Sequence, residues 1–134
     1  MVIPHSADLM HWEIGDHGFA MGLSPLVPET VGAALLPWLR DWLNDVDIEL
    51  EAVTSWAVHP GGPKILSTCS EVLSLESNRL LDSRAVLQDH GNMSSATILF
   101  ILERLRRRST TGPCLALAFG PGLSAEVALF DRKY

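Results

Sequence analysis

Two short segments hold the side chains best suited to chemistry: His59 in Val58-His-Pro-Gly-Gly-Pro63, and Asn92 in Gly91-Asn-Met-Ser-Ser95. An imidazole can accept, donate or transfer a proton near neutral pH. Pro60 forces His59 into an extended backbone, and Gly61-Gly62 lets the chain turn sharply beside it. A histidine in that frame reads either as a structural residue or as a group held for catalysis. Asn92 also has two readings. It is a favoured helix N-cap, and its amide is a neutral donor that can face a developing oxyanion without exchanging a proton.

Other candidates carry less. His5, His11 and His17 recur every six residues. That spacing puts successive side chains on different helix faces, or roughly 20 Å apart along a strand. Zinc needs ligands converging at about 2 Å, so no metal site is expected. Glu13 and Asp16 read as solvated or turn-forming, and Trp38 with Trp42 as packing. Cys69 falls on a predicted helix with no visible activator and reads as an inert buried thiol. Cys69 and Cys114 are the two cysteines of the chain and have no metal-ligand spacing. A reduced, cytoplasmic compartment is the corresponding expectation.

The elements that must position these residues follow from periodicity. The opening Met-Val-Ile-Pro resembles the tail of a strand whose earlier part is missing, and strand-like runs follow near 12–14 and 19–23. Val31, Leu35, Trp38, Leu39, Trp42 and Val46 recur at threes and fours, which predicts one helix over about 29–45 with these residues on its buried face. Pro37 is expected to kink or restart it. The run 53–58 predicts a buried central strand with His59 at its C-terminal end, where α/β proteins place ligands. Pro63 suits the first turn of a helix reaching about 75. Two more helices are predicted over about 78–88 and 93–108, the last apolar nearly all round in its first half and expected to be buried on both sides. Apolar strands at 114–118 and 123–130, joined by Phe119-Gly-Pro-Gly122, predict a hairpin. This order fits one α/β unit spanning 1–134.

Bulk properties narrow the function classes. The 134 residues are 47% apolar and 19% charged, which excludes disorder and allows a real core. A net charge of −6 removes any global case for nucleic acid or an anionic membrane. The one basic cluster, Arg104 with Arg106 to Arg108, ends an apolar helical run, where cations answer the macrodipole. A phosphate or partner contact is its other reading. No run is long enough to cross a bilayer, and Pro4, His5 and Asp8 interrupt any signal-like apolar stretch.

Taken together, His59-Pro-Gly-Gly-Pro63, Gly91-Asn-Met-Ser-Ser95 and Phe119-Gly-Pro-Gly122 resemble three signatures of type III polyketide synthases of the chalcone and stilbene synthase type, in the family's order and at similar separations. Trp56-Ala-Val before the histidine and Ile98-Leu-Phe-Ile-Leu after the asparagine motif agree, as do Ile3-Pro4, Gly18 and Val27-Pro28. Ketoacyl-ACP synthases, the nearest rivals, typically follow their histidine with Gln-Ala-Asn.

The resemblance implies the C-terminal half of a thiolase-like fold: a central mixed sheet flanked by helices and ending in a β-hairpin. It implies a Cys-His-Asn set in which His59 and Asn92 match two members. The nucleophilic cysteine would come from a missing N-terminal half. It further implies acyl-CoA and malonyl-CoA as substrates with no other cofactor, a homodimer, and an acyltransferase activity that this chain alone would lack. Ser94 matches a cavity residue, and Phe119, Gly120, Pro121 and Gly122 match a loop shaping the cyclisation cavity, although Ala118 stands where glycine is usual. Met21 stands where plant members carry a gatekeeper phenylalanine. A thiolase-like module that only dimerises or binds CoA is the alternative expectation.

Overall fold

A computed structural model describes residues 1–132, so the last two residues of the expected domain lie outside it. The opening residues lie along a later strand: Val2 bridges Ser124, and Ala125 N–H donates to Met1 O at 2.7 Å. The first two strands, β1 (Met10–Gly15) and β2 (Gly18–Leu23), pair antiparallel as a separate hairpin. Its register sets Met10 opposite Leu23, Trp12 opposite Met21 and Ile14 opposite Phe19. Directly opposed residues share a face, so the hairpin has one wholly apolar side. Near its tip Ile14 is 83% and Phe19 71% exposed.

Helix α1 (Val27–Asp45) buries Val27, Val31, Leu35, Leu39 and Leu43, a seam repeating every fourth residue. It runs through Pro37 without restarting. Trp38 and Trp42 flank the seam half-buried, and Val46 is exposed because it lies just past the last helical residue. The buried face therefore ends on Leu43 rather than Val46.

Strand β3 (Ser55–Val58) is followed by α2 (Pro63–Val72), α3 (Leu81–His90), α4 (Ala96–Arg106), β4 (Gly112–Gly120) and β5 (Ser124–Arg132). The main sheet has the order β3-β4-β5, parallel in its first pair and antiparallel in its second. Two-residue alternation divides its side chains between two cores. Trp56, Val58, Leu115 and Leu117 join α1 and α2, whereas Ala57, Cys114 and Ala116 join Val86 of α3 and Ile101 and Leu105 of α4. Each large side chain buried this way stabilises the fold by about 1.5–3 kcal/mol relative to exposure. The result is a mixed sheet with helices on both faces.

Two expectations are corrected here. Among the described residues β3 is an edge strand and β4 is central; β3 is nevertheless fully buried, and its Val58 N–H finds Ser83 Oγ of α3 at 3.2 Å. Helix α4 is buried on one side only. Thr97, Ile101 and Leu105 face inward, while Leu99 is 64% and Phe100 46% exposed. It packs on β3, β4 and α3 through that inner face.

Candidate active site

His59 leaves β3 as the sheet ends. Its N–H still donates to Leu117 O at 2.8 Å, so β4 holds the backbone, and Gly61 N–H turns back to His59 O at 3.1 Å. The side chain is only 9% exposed, and among the described residues neither ring nitrogen has a hydrogen-bond partner. Burial pushes the imidazole's pKa below its ordinary value, because desolvation disfavours the charged form. Neutral imidazole is thus favoured, with one nitrogen carrying a proton to donate.

Asn92 is held differently. Gly91 adopts φ 72 and ψ −167, a region essentially reserved for glycine. Ser94, with φ 57, is left-handed without being glycine. The Asn92 Oδ1 accepts the Ser94 N–H at 2.9 Å, and Met93 N–H donates to buried Thr97 Oγ1 at 2.8 Å. A backbone N–H can only donate, so the accepting atom must be the amide oxygen. That leaves the Asn92 NH₂ free. The N-cap of α4 is Ser95, so Asn92 closes the turn before the helix instead of capping it.

Both residues line one cavity of about 930 Å³, within the range of small-molecule sites. Met21, Ser94, Phe119, Gly120 and Pro121 line it too. Gly122 does not: it takes φ 72 in the β4–β5 turn, and its N–H donates to Met10 O at 2.7 Å, tying that turn to the hairpin. Sequence reasoning missed Met10, Trp12 and Leu23 as lining residues. Their alternation with polar or small neighbours carried the signal, since positions 10, 12, 21 and 23 fall on one face. Lys64 and Glu126 were also missed, and no local pattern marks them. The site combines an apolar wall with an imidazole and a carboxamide among its lining side chains. Such a site can hold an acyl chain and stabilise negative charge on a carbonyl oxygen.

Neither cysteine lines the cavity. Both are buried, and burial pushes the Cys69 thiol up to about 12. His11 is likewise elsewhere, paired with Glu13 at 3.1 Å on the hairpin's polar face. The basic cluster is answered internally: Arg104 meets Asp89 and Asp82, Arg108 meets Asp82, and Arg106 and Arg107 meet Glu103. Among the described residues no helix is long and apolar enough to cross a membrane.

Comparison with known proteins places this geometry. The profile described as chalcone and stilbene synthases, C-terminal domain, matches residues 1–132. A protein of Bacillus subtilis (strain 168) with the provisional name chalcone synthase is 32% identical over 98% of this chain. The crystal structure of PKS-I from the brown alga Ectocarpus siliculosus superposes with a TM-score of 0.92 at 26% identity over 99% of this chain. The C-terminal type III polyketide synthase domain of Steely1, a type I/III hybrid from Dictyostelium, shares the fold with a TM-score of 0.89 at 24% identity over 98% of this chain. The chain spans 37% of the length of the Bacillus protein and 38% of each of the two solved chains.

Proposed function

The chain belongs to the chalcone and stilbene synthase C-terminal domain family, and from that premise we propose that it is the C-terminal catalytic portion of a type III polyketide synthase. The observation that carries this reading is the pair of unspent donors, His59 and the Asn92 NH₂, brought from distant elements to one apolar-walled cavity.

The proposed reaction is a decarboxylative Claisen condensation. A cysteine thiolate from the preceding part of the protein takes a starter acyl group from CoA. In malonyl-CoA the bond to the carboxylate breaks, carbon dioxide leaves, and its electron pair becomes an enolate on the thioester. His59 and Asn92 donate hydrogen bonds to that oxygen as its charge grows, and they do so most strongly in the transition state. The enolate carbon then attacks the acyl carbonyl, a carbon–carbon bond forms, and the cysteine leaves as thiolate. Burial favours neutral His59 here, and a neutral imidazole retains the N–H this role needs; an adjacent thiolate would favour the imidazolium instead. The chemistry needs no cofactor beyond its CoA thioesters, and it suits the cytoplasm.

The cysteine chemistry supports a division of labour. A deeply buried thiol held near 12 is a poor nucleophile at neutral pH. The isolated chain is expected to form no acyl thioester when incubated with radiolabelled acyl-CoA. A stable adduct on Cys69 or Cys114 would overturn that part of the reading. In the full-length protein, Asn92→Ala is expected to slow malonyl-CoA decarboxylation about 10²-fold. An unchanged rate would remove Asn92 from the mechanism.

The apolar face of the hairpin and the outer face of α4, with Leu99 and Phe100, favour a covering partner. We assign that role to the preceding half of the protein, with a homodimer as the complete assembly. Sedimentation equilibrium of the full-length protein tests it, and a monomer at micromolar concentration would defeat the dimer. A thiolase-like module that only binds CoA would bind it as well after Asn92→Ala and would decarboxylate nothing.

A further inference from the structure

Asp82 and Ser83, adjacent in the first turn of α3, are both buried, and neither lines the cavity. Helix preference does not explain the serine. Its hydroxyl competes for backbone hydrogen bonds, and alanine would suit a buried helical position better. The strand beside it does explain it. His59 N–H points toward β4, where Leu117 O accepts it at 2.8 Å. The Val58 N–H, one residue earlier, points the other way, off the edge of the described sheet. Ser83 Oγ, on a side chain with 0% exposure, accepts it there at 3.2 Å.

The same device stands beside the other donor. The fully buried Thr97 hydroxyl accepts the Met93 N–H, one residue after Asn92. Each donor therefore adjoins a backbone N–H taken by a buried hydroxyl, and losing that hydroxyl would leave the N–H without its acceptor.

Asp82 anchors the turn that presents Ser83. Its carboxylate takes Arg108 Nε at 2.9 Å and Nη2 at 3.0 Å, a two-pronged contact, with Arg104 Nε 3.6 Å away. Arg104 lies in α4 and Arg108 just beyond it. The first turn of α3 is thus tied to the far end of the helix that follows Asn92, and through Ser83 to the strand that ends at His59.

We propose that Ser83 is a positioning residue for His59: by holding the free edge of β3 one residue before it, the hydroxyl fixes where the imidazole enters the cavity. This deepens the proposed function and rests on it for the reaction. Ser83 lies outside the cavity and acts only through Val58.

The test is made on the full-length protein with Ser83→Ala, Ser83→Thr and Leu43→Ala. Ser83→Ala is expected to lower kcat for malonyl-CoA decarboxylation about tenfold with KM little changed, because a displaced imidazole still admits substrate but meets the enolate oxygen poorly. Ser83→Thr keeps the hydroxyl and is expected to restore kcat. Leu43 is buried in the last turn of α1, outside the cavity. Leu43→Ala loses more packing, yet should leave kcat unchanged wherever the protein is folded. An unchanged kcat in Ser83→Ala, a loss matched by Leu43→Ala, or a threonine variant as impaired as the alanine one overturns the proposal. If Ser83→Ala does not fold, Ser83→Cys, close in volume and a weak acceptor, replaces it with the same expected outcomes. A parent protein without decarboxylation would instead remove the functional reading. The His59 ring resonances in NMR then still decide Ser83. A shift in the Ser83 variant that is absent from Leu43→Ala supports it, and a ring unmoved or moved equally in both overturns it.

Discussion

The two donors of the site are held by opposite means. His59 is fixed by tertiary packing: it ends a strand buried along its length, its N–H is bound to β4, and its side chain is almost wholly enclosed. Asn92 lies in an exposed turn and is fixed locally, between Gly91 and Thr97, by a glycine-only backbone at Gly91, a left-handed Ser94 and two short hydrogen bonds. The contrast teaches that one site can combine a donor inherited from the core with one built by local chemistry. The first is vulnerable to distant substitutions, the second only to near ones.

Substitutions in the core should break this contrast on the His59 side most strongly. Leu117→Ala removes a fully buried side chain on the strand that holds the His59 backbone. It is expected to destabilise the protein by about 2–5 kcal/mol in urea denaturation, because the cavity cannot fully collapse. Gly91→Ala tests the local side. An added Cβ would meet nothing within 4 Å, so the whole cost is backbone strain, about 1–3 kcal/mol. Its loss of decarboxylation should exceed what that instability explains, since Asn92 follows directly. A full-length variant with normal decarboxylation would show that the turn tolerates other conformations.

Thr97→Val keeps the shape but leaves Met93 N–H without its acceptor, at a cost of about 1–3 kcal/mol. Hydrogen exchange should rise at Met93 and Ser94 and stay unchanged at His59. Equal loosening at both would merge the two regions into one cooperative unit.

The pH response separates them further. The His59 pKa is lowered in the fold, so its contribution to stability is present above the ordinary histidine value of about 6.5 and is lost as pH falls through the folded value. Histidine NMR titration should find His59 protonating below 6.5, and a value at or above it would mean that a charge or solvent reaches the ring. The smallest effect is expected at Glu103, an exposed carboxylate held near 2 by Arg106 and Arg107. Glu103→Gln should leave the melting temperature and both donors unchanged, because solvent screens such pairs.

Much of this was legible in the sequence, and the reasons are local. Pro60, Gly61, Gly62 and Pro63 dictate an extended histidine, a turn and a helix start, and that is what β3, the loop and α2 show. The seam on α1 and the hairpin of β4 and β5 follow from spacing and from the Gly-Pro-Gly turn. The motif order sufficed to identify the family. Where periodicity misled, the error was one of context: the first half of α4 is apolar nearly all round, yet Leu99 and Phe100 are exposed.

Sequence alone determined the order of helices, strands and turns, with their ends displaced by a few residues, because φ/ψ preferences and near hydrogen bonds act within a few positions. Only the tertiary structure decided that α4 buries a single face, that β3 lies at an edge of the described sheet, and that Trp12, Lys64 and Glu126 share a cavity with His59 and Asn92. Those outcomes depend on the sum of many weak contacts between residues far apart in the chain, and no local pattern encodes that sum.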